Sequence, residues 1–98
     1  MSFVRHLIVR GRVQGVGFRM WIEDLAERLG LEGWVRNRRD GSVEAVFGGP
    51  EATVADMIAV CRRGPPGAYV EAVDEREGSA GDLACRRAGE RFSVVSTV

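Results

Sequence analysis

The stretch Val4–Gly30, VRHLIVRGRVQGVGFRMWIEDLAERLG, carries two hydrophobic periodicities in succession. Up to Val13 the period is two. Leu7, Val9 and Val13 fall on one face and His6, Ile8, Arg10 and Arg12 on the other, which predicts a strand over 4–13. From Phe18 onward the period is helical. Phe18, Ile22, Leu25, Ala26 and Leu29 form a stripe, with Glu23, Asp24, Glu27 and Arg28 on other faces. Asp24 and Arg28 are an i,i+4 pair of favourable orientation, and Gly30 is a natural terminator. Between strand and helix the chain must turn within Gln14–Gly17, where Gly15 and Gly17 sit.

The rest of the chain repeats this plan. Residues 31–37, LEGWVRN, read as a second strand, and Arg38-Arg39-Asp40-Gly41 as a hairpin turn with its Asp-Gly signal. Residues 42–48 form a third strand with Val43, Ala45 and Phe47 on one face. Gly49-Pro50 starts a second helix, with proline at the first position. Val54, Met57, Ile58 and Cys61 are its buried stripe, and Gly64-Pro65-Pro66-Gly67 ends it. Residues 68–77 read as a fourth strand whose alternation slips between Val70 and Val73, as a bulge would cause. Residues 78–90 read as a polar loop, and 91–98 as a last, edge strand. The order βαββαβ predicts an α+β, ferredoxin-like sandwich: an antiparallel sheet, two helices on one face, and a short C-terminal strand. The other sheet face is expected to be open, carrying Arg10, Arg12, Glu44 and His6.

Ninety-eight residues with 45% apolar content suit a single domain over 1–98 with a core of its own. The 14 basic and 14 acidic residues cancel, so net charge gives no argument for nucleic acid or an anionic membrane. Every basic residue is arginine. Genomic base composition is the simplest cause, and the chemical consequence is that no lysine amine exists for a Schiff base or a P-loop. Neither a basic-then-apolar leader nor a long apolar run is present, so a cytoplasmic protein with no membrane partner is expected. Cys61 and Cys85 lack CxxC spacing and His6 is the one histidine, which argues against a Cys/His zinc site. Two free thiols are the default, with a disulfide between them left open.

The glycine turn fits neither common nucleotide signature. Gly15 and Gly17 begin a GxGxxG, but its last position is Met20, and the P-loop's lysine is missing. Anion binding remains physically reasonable. Glycines at positive φ can turn successive N–H groups inward, the helix start adds its free donors and dipole, and Arg19 adds a planar, permanently charged fork. That is a site for one phosphoryl group without a nucleoside pocket. Taken alone, the same residues also fit a tight turn beside a surface arginine.

Residues 11–19, GRVQGVGFR, resemble the first signature of the acylphosphatases, and residues 33–43, GWVRNRRDGSV, resemble the second. The similarity in pattern runs from about Val4 to Val73, and the closing FSVV resembles the family's last strand; residues 74–90 depart from it. The resemblance implies hydrolysis of an acyl phosphate to a carboxylate and inorganic phosphate. It implies that the backbone amides of Gln14, Gly15, Val16, Gly17 and Phe18, with Arg19, bind the phosphate. It implies that Asn37 orients the attacking water, and that no metal or cofactor is needed.

The chemistry of the chain agrees. No Ser-His-Asp or Cys-His grouping is evident. An acyl phosphate can do without a general acid, because it leaves as a carboxylate whose conjugate acid has a pKa of about 4. Positioning and charge stabilisation then suffice. Asn37 is also a common turn residue, and Arg12, Arg36, Arg38 and Arg39 read as solvated charges more readily than as a steering rim. Trp21 and Trp34 are expected to be partly buried. An RNA-binding sheet of the same βαββαβ order wants stacking aromatics on its central strands. Here the third strand offers only Phe47, on the helix face. A silent small-anion-binding module is the remaining alternative. A monomer is expected.

Overall fold

In the computed structural model, which describes residues 3–98, the chain runs β1 (Phe3–Arg12), α1 (Phe18–Arg28), β2 (Glu32–Asn37), β3 (Val43–Gly49), α2 (Glu51–Arg63), β4 (Tyr69–Glu77) and β5 (Phe92–Val94). A short 3-10 helix, Ala80–Cys85, lies before β5. The strands form one sheet in the order β4-β1-β3-β2-β5. Both helices cover one face. Phe18, Ile22 and Ala26 from α1, and Val54, Met57, Ile58 and Cys61 from α2, pack with Leu7, Val9, Val35, Val43, Ala45 and Phe47 from the sheet. These are the odd positions of each strand, so the period-two and helical stripes meet as the sequence requires. Each fully buried side chain of this kind stabilises the fold by roughly 1.5–3 kcal/mol before chain entropy is counted.

The slip in the alternation of β4 is a bulge. The β1–β4 register moves from Arg10 opposite Ala72 to Gly11 opposite Val70, so Glu71 is the extra residue. Pro50 is the residue before α2 rather than its first helical residue, which is Glu51; its φ of −59° suits either place, but its ψ of 139° is extended. Cys61 is buried and Cys85 exposed, and both are free thiols. Burial pushes the Cys61 thiol up to about 12, so it stays protonated and acts as a small apolar side chain.

Two expectations are corrected. The sheet is mixed, because β5 runs parallel to β2, while every other neighbouring pair is antiparallel. The far face of the sheet is also not open. The segment 78–90 folds across part of it, and Leu83 is buried with Val4, Trp34 and Val46. Trp34 is 3% exposed and its Nε1–H donates to the Asp82 carbonyl at 2.6 Å. A polar sequence did not announce this cover, because one leucine and a backbone carbonyl do most of the packing. Ser79 and Asp82 form a capping box, with Ser79 N–H donating to Asp82 Oδ2 at 2.9 Å, and this holds the 3-10 helix in place.

The polar residues of the far face pair with each other. His6 Nε2–H donates to Glu44 Oε2 at 2.6 Å, and Arg36 Nε–H donates to Glu44 Oε1 at 2.7 Å. Arg36 also lies over the Trp34 ring at 4.6 Å. Thus Glu44 and His6 are buried, and Arg36 is a fixed partner rather than a solvated charge. Arg10 and Arg12 stay exposed as expected. Burial by itself raises the Glu44 pKa, but the hydrogen bonds from His6 and Arg36, with Arg36's charge, outweigh it and hold the carboxyl below its ordinary 4.5. A depressed carboxyl stabilises the fold above its ordinary pKa, and that contribution is lost as pH falls below 4.5 through the folded value. Glu44→Gln should therefore cost on the order of 1–3 kcal/mol at pH 7, with Arg36 left unpaired. It should also shrink the wild-type loss of stability below pH 4.5. Urea titrations at pH 7 and pH 3.5 test both.

Candidate active site

The end of the sheet where β1 and β2 finish brings the singled-out residues together. β3 lies between these two strands and runs antiparallel to both, so both point the same way. Val43 pairs with Val9 on one side and with Asn37 on the other. The chain leaves β1 at Arg12, buries Val13 as an anchor, and turns through Gln14–Gly17 into α1.

Gly15 has φ 75° and Gly17 has φ 78°, both in the left-handed region. A Cβ added at either would meet nothing within 4 Å. The requirement for glycine is therefore conformational, and the space beside the turn stays open. Gly17 caps α1 without a side-chain hydrogen bond, and no acidic residue occupies the first turn. Trp21 N–H is bonded to the Gly17 carbonyl at 3.0 Å, while the donors of Phe18, Arg19 and Met20 precede that first helical bond. An uncapped N-terminus on an 11-residue helix is an electropositive end facing a glycine turn. Phe18, 2% exposed, pins the turn to the core and packs edge-on against Trp21, ring centroids 5.5 Å apart.

Arg19 is half-buried in the first turn of α1 and makes no ion pair among the described residues. Two other arginines near this end are engaged, while Arg12 and Arg39 are exposed. Arg38 and Arg10 approach Asp40 at 3.9 and 3.8 Å. Hydrogen bonds from the Ser42 hydroxyl and the Ser42 N–H, at 2.5 and 2.9 Å, hold Asp40 below its ordinary value, with help from both arginines. The hairpin's carboxylate is thereby tied into its own turn.

Asn37 is the last residue of β2, on the same face as Val35 and hence on the helix side. Its Oδ1 is buried and has no hydrogen-bond partner among the described residues. A buried amide oxygen without a partner costs about 1–3 kcal/mol. The neighbouring backbone pairs with the end of the chain. The Asn37 carbonyl accepts from Val98 N–H at 3.3 Å, and Arg39 N–H donates to the Val98 carbonyl at 2.7 Å. The last residues thus brace the hairpin beside β2, which the sequence reading had as part of a longer strand.

Gln14 supplies the contact between the two halves, and here the sequence reading was incomplete. The resemblance implies a role for its backbone amide alone. The side-chain Nε2 donates to the Arg38 carbonyl at 2.7 Å and to the Ser42 carbonyl at 2.8 Å. One amide group therefore ties the glycine turn to the hairpin that follows Asn37. An amide side chain in a turn signals hydrogen bonding, but its partners are 24 and 28 residues away, and no local pattern names them. Among the described residues, no three His, Cys, Asp or Glu side chains group as a metal site, and no helix is long and apolar enough to cross a membrane.

Comparisons with known proteins are consistent along the chain. The family model for acylphosphatases matches residues 5–84. The chain is 57% identical over 95 residues to an acylphosphatase of Bradyrhizobium diazoefficiens, covering 97% of this chain and 96% of that one. It is 58% identical over 97 residues to an acylphosphatase of Rhodopseudomonas palustris, covering 99% and 98%. Among solved structures, acylphosphatase from Bacillus subtilis superposes with a TM-score of 0.82 at 36% identity, covering 97% of this chain and 99% of that one.

Proposed function

The chain belongs to the acylphosphatase family, and we propose that its hydrolysis of acyl phosphates rests on two groups with separate tasks. The glycine turn Gln14–Phe18 and Arg19 hold the phosphoryl group. Asn37 orients the water that attacks it. The observation that carries this reading is the buried Oδ1 of Asn37, which has no hydrogen-bond partner among the described residues and lies on the same side of the sheet as the uncapped end of α1.

The turn's N–H groups and the Arg19 fork take the equatorial phosphoryl oxygens, where charge collects in a loose transition state. The left-handed glycines set the turn's backbone before substrate arrives, so its amides need little reorganisation as charge develops. Asn37 Oδ1 accepts a hydrogen bond from water, which turns the water's lone pair toward phosphorus. The new P–O bond forms as the bond from phosphorus to the acyl oxygen breaks. The bonding electron pair leaves on the carboxylate, and a water proton passes to a phosphate oxygen. An amide is too weak a base to take that proton, so its task is orientation. The leaving group needs no protonation, which fits a site without a histidine or carboxylic acid among its named residues.

Hydrolysis of an aryl acyl phosphate in the presence of chelator tests the reading, with the reaction run in ¹⁸O-labelled water. Turnover with the label in inorganic phosphate is expected. A folded sample that is inactive, or that places the label in the carboxylate, would overturn it.

A further inference from the structure

The two tasks proposed for this site fall on separate pieces of chain, and their relative placement has to be set by something. The helix dipole and the glycine turn cannot set it, since they belong to one piece. From the hydrogen bonds of Gln14 we infer that its side chain is a positioning residue, a staple that fixes Asn37 relative to the phosphate cradle. This rests on the roles proposed above for the cradle and Asn37.

The geometry is specific. Both N–H bonds of the Gln14 amide are used, one to the carbonyl of Arg38 and one to that of Ser42. Those carbonyls close the hairpin themselves, Ser42 accepting from Arg38 N–H at 2.9 Å and Arg38 accepting from Gly41 N–H at 3.1 Å. Gln14 therefore takes the second lone pair of each and grips the turn at both sides. Arg38 follows Asn37 directly, and Ser42 precedes Val43, the partner of Asn37 in the sheet. At the other end, Gln14 precedes Gly15, the first left-handed residue of the turn into α1. A staple here moves little of the fold's apolar core but directly controls the distance from water to phosphorus. Misplacement of a reacting group by about 1 Å can cost about 10²-fold in rate.

The chemistry also separates this role from phosphate binding. The Gln14 amide donors point at the hairpin and are not free for substrate. Loss of the staple should lower kcat while leaving the cradle's affinity for phosphate intact. It should matter only where Asn37 is present to be positioned.

Gln14→Met keeps length and removes both donors. Expected are a kcat lower by about 10–100-fold, a competitive inhibition constant for inorganic phosphate within about threefold of wild type, and less than a twofold further effect in the Asn37→Ala background. An equal loss of kcat in both backgrounds would overturn the staple, as would weakened phosphate inhibition with kcat unchanged. Gln14→Glu gives a second reading if Gln14→Met folds poorly. Its ionised carboxylate faces two carbonyls, while its protonated form regains one donor. Its kcat relative to wild type should rise as pH falls toward the carboxylate range, and a flat ratio would contradict the staple. Full activity in Asn37→Ala alone would instead refute the role of Asn37 on which the staple depends.

Discussion

Arg19→Ala is expected to lower kcat/KM for an aryl acyl phosphate by about 10³-fold, the lower end of what a phosphate-directed arginine contributes to phosphoryl transfer. That corresponds to about 4 kcal/mol of transition-state stabilisation. Arg19 sits where the helix end and glycine turn already favour an anion, yet no acidic partner occupies its guanidinium among the described residues. Its charge is therefore uncommitted in the free protein and available to the phosphoryl oxygens. The loss should fall on KM and on phosphate inhibition as well as on kcat, because ground state and transition state share the contact. Arg19→Lys should recover only part, since an ammonium cannot engage two oxygens in the fixed geometry of the fork. The side chain is half-buried and forms no ion pair among the described residues, so the urea midpoint should scarcely move.

Asn37→Ala is expected to separate turnover from binding. With the phosphate cradle intact, inhibition by inorganic phosphate should stay within about threefold, while kcat falls by about 10²–10³-fold as the water loses its orientation. The same substitution removes an oxygen that bonds no other group among the described residues. Unfolding free energy should therefore stay within about 1 kcal/mol of wild type in the variant that has lost activity. Wild-type activity in Asn37→Ala would mean that another group orients the water.

The main elements were legible because their signals are local. The helical stripe from Phe18 to Ala26, the alternation in β1 and the Asp-Gly turn each depend on a few neighbouring residues and formed where expected, although Leu29, the last residue of the expected stripe, lies exposed at the end of α1. Even the bulge at Glu71 showed as a slipped alternation. What failed depends on long-range contacts. The cover over the far face rests on Leu83 in an otherwise polar segment, and its partners Val4, Trp34 and Val46 come from three different strands. The direction of β5 depends on how that segment crosses the sheet, which periodicity does not encode. His6 and Glu44 looked like solvent-facing strand residues because a hydrogen-bonded triad, once closed, has the same alternation as an exposed one. At the site, the left-handed glycines and the position of Asn37 at a strand end follow from spacing and turn chemistry. The grip of Gln14 on the hairpin does not, since a sequence gives no direction to a side-chain amide.

The most direct measurement is calorimetric binding of inorganic phosphate to wild type, Arg19→Ala and Asn37→Ala under identical salt, set beside the kcat of each. A cradle and a water-positioner with separate tasks require that wild type and Asn37→Ala bind phosphate alike while Arg19→Ala does not, with turnover lost in both variants. Equal binding by all three, or binding lost with Asn37 and kept without Arg19, would contradict the division of labour at this site.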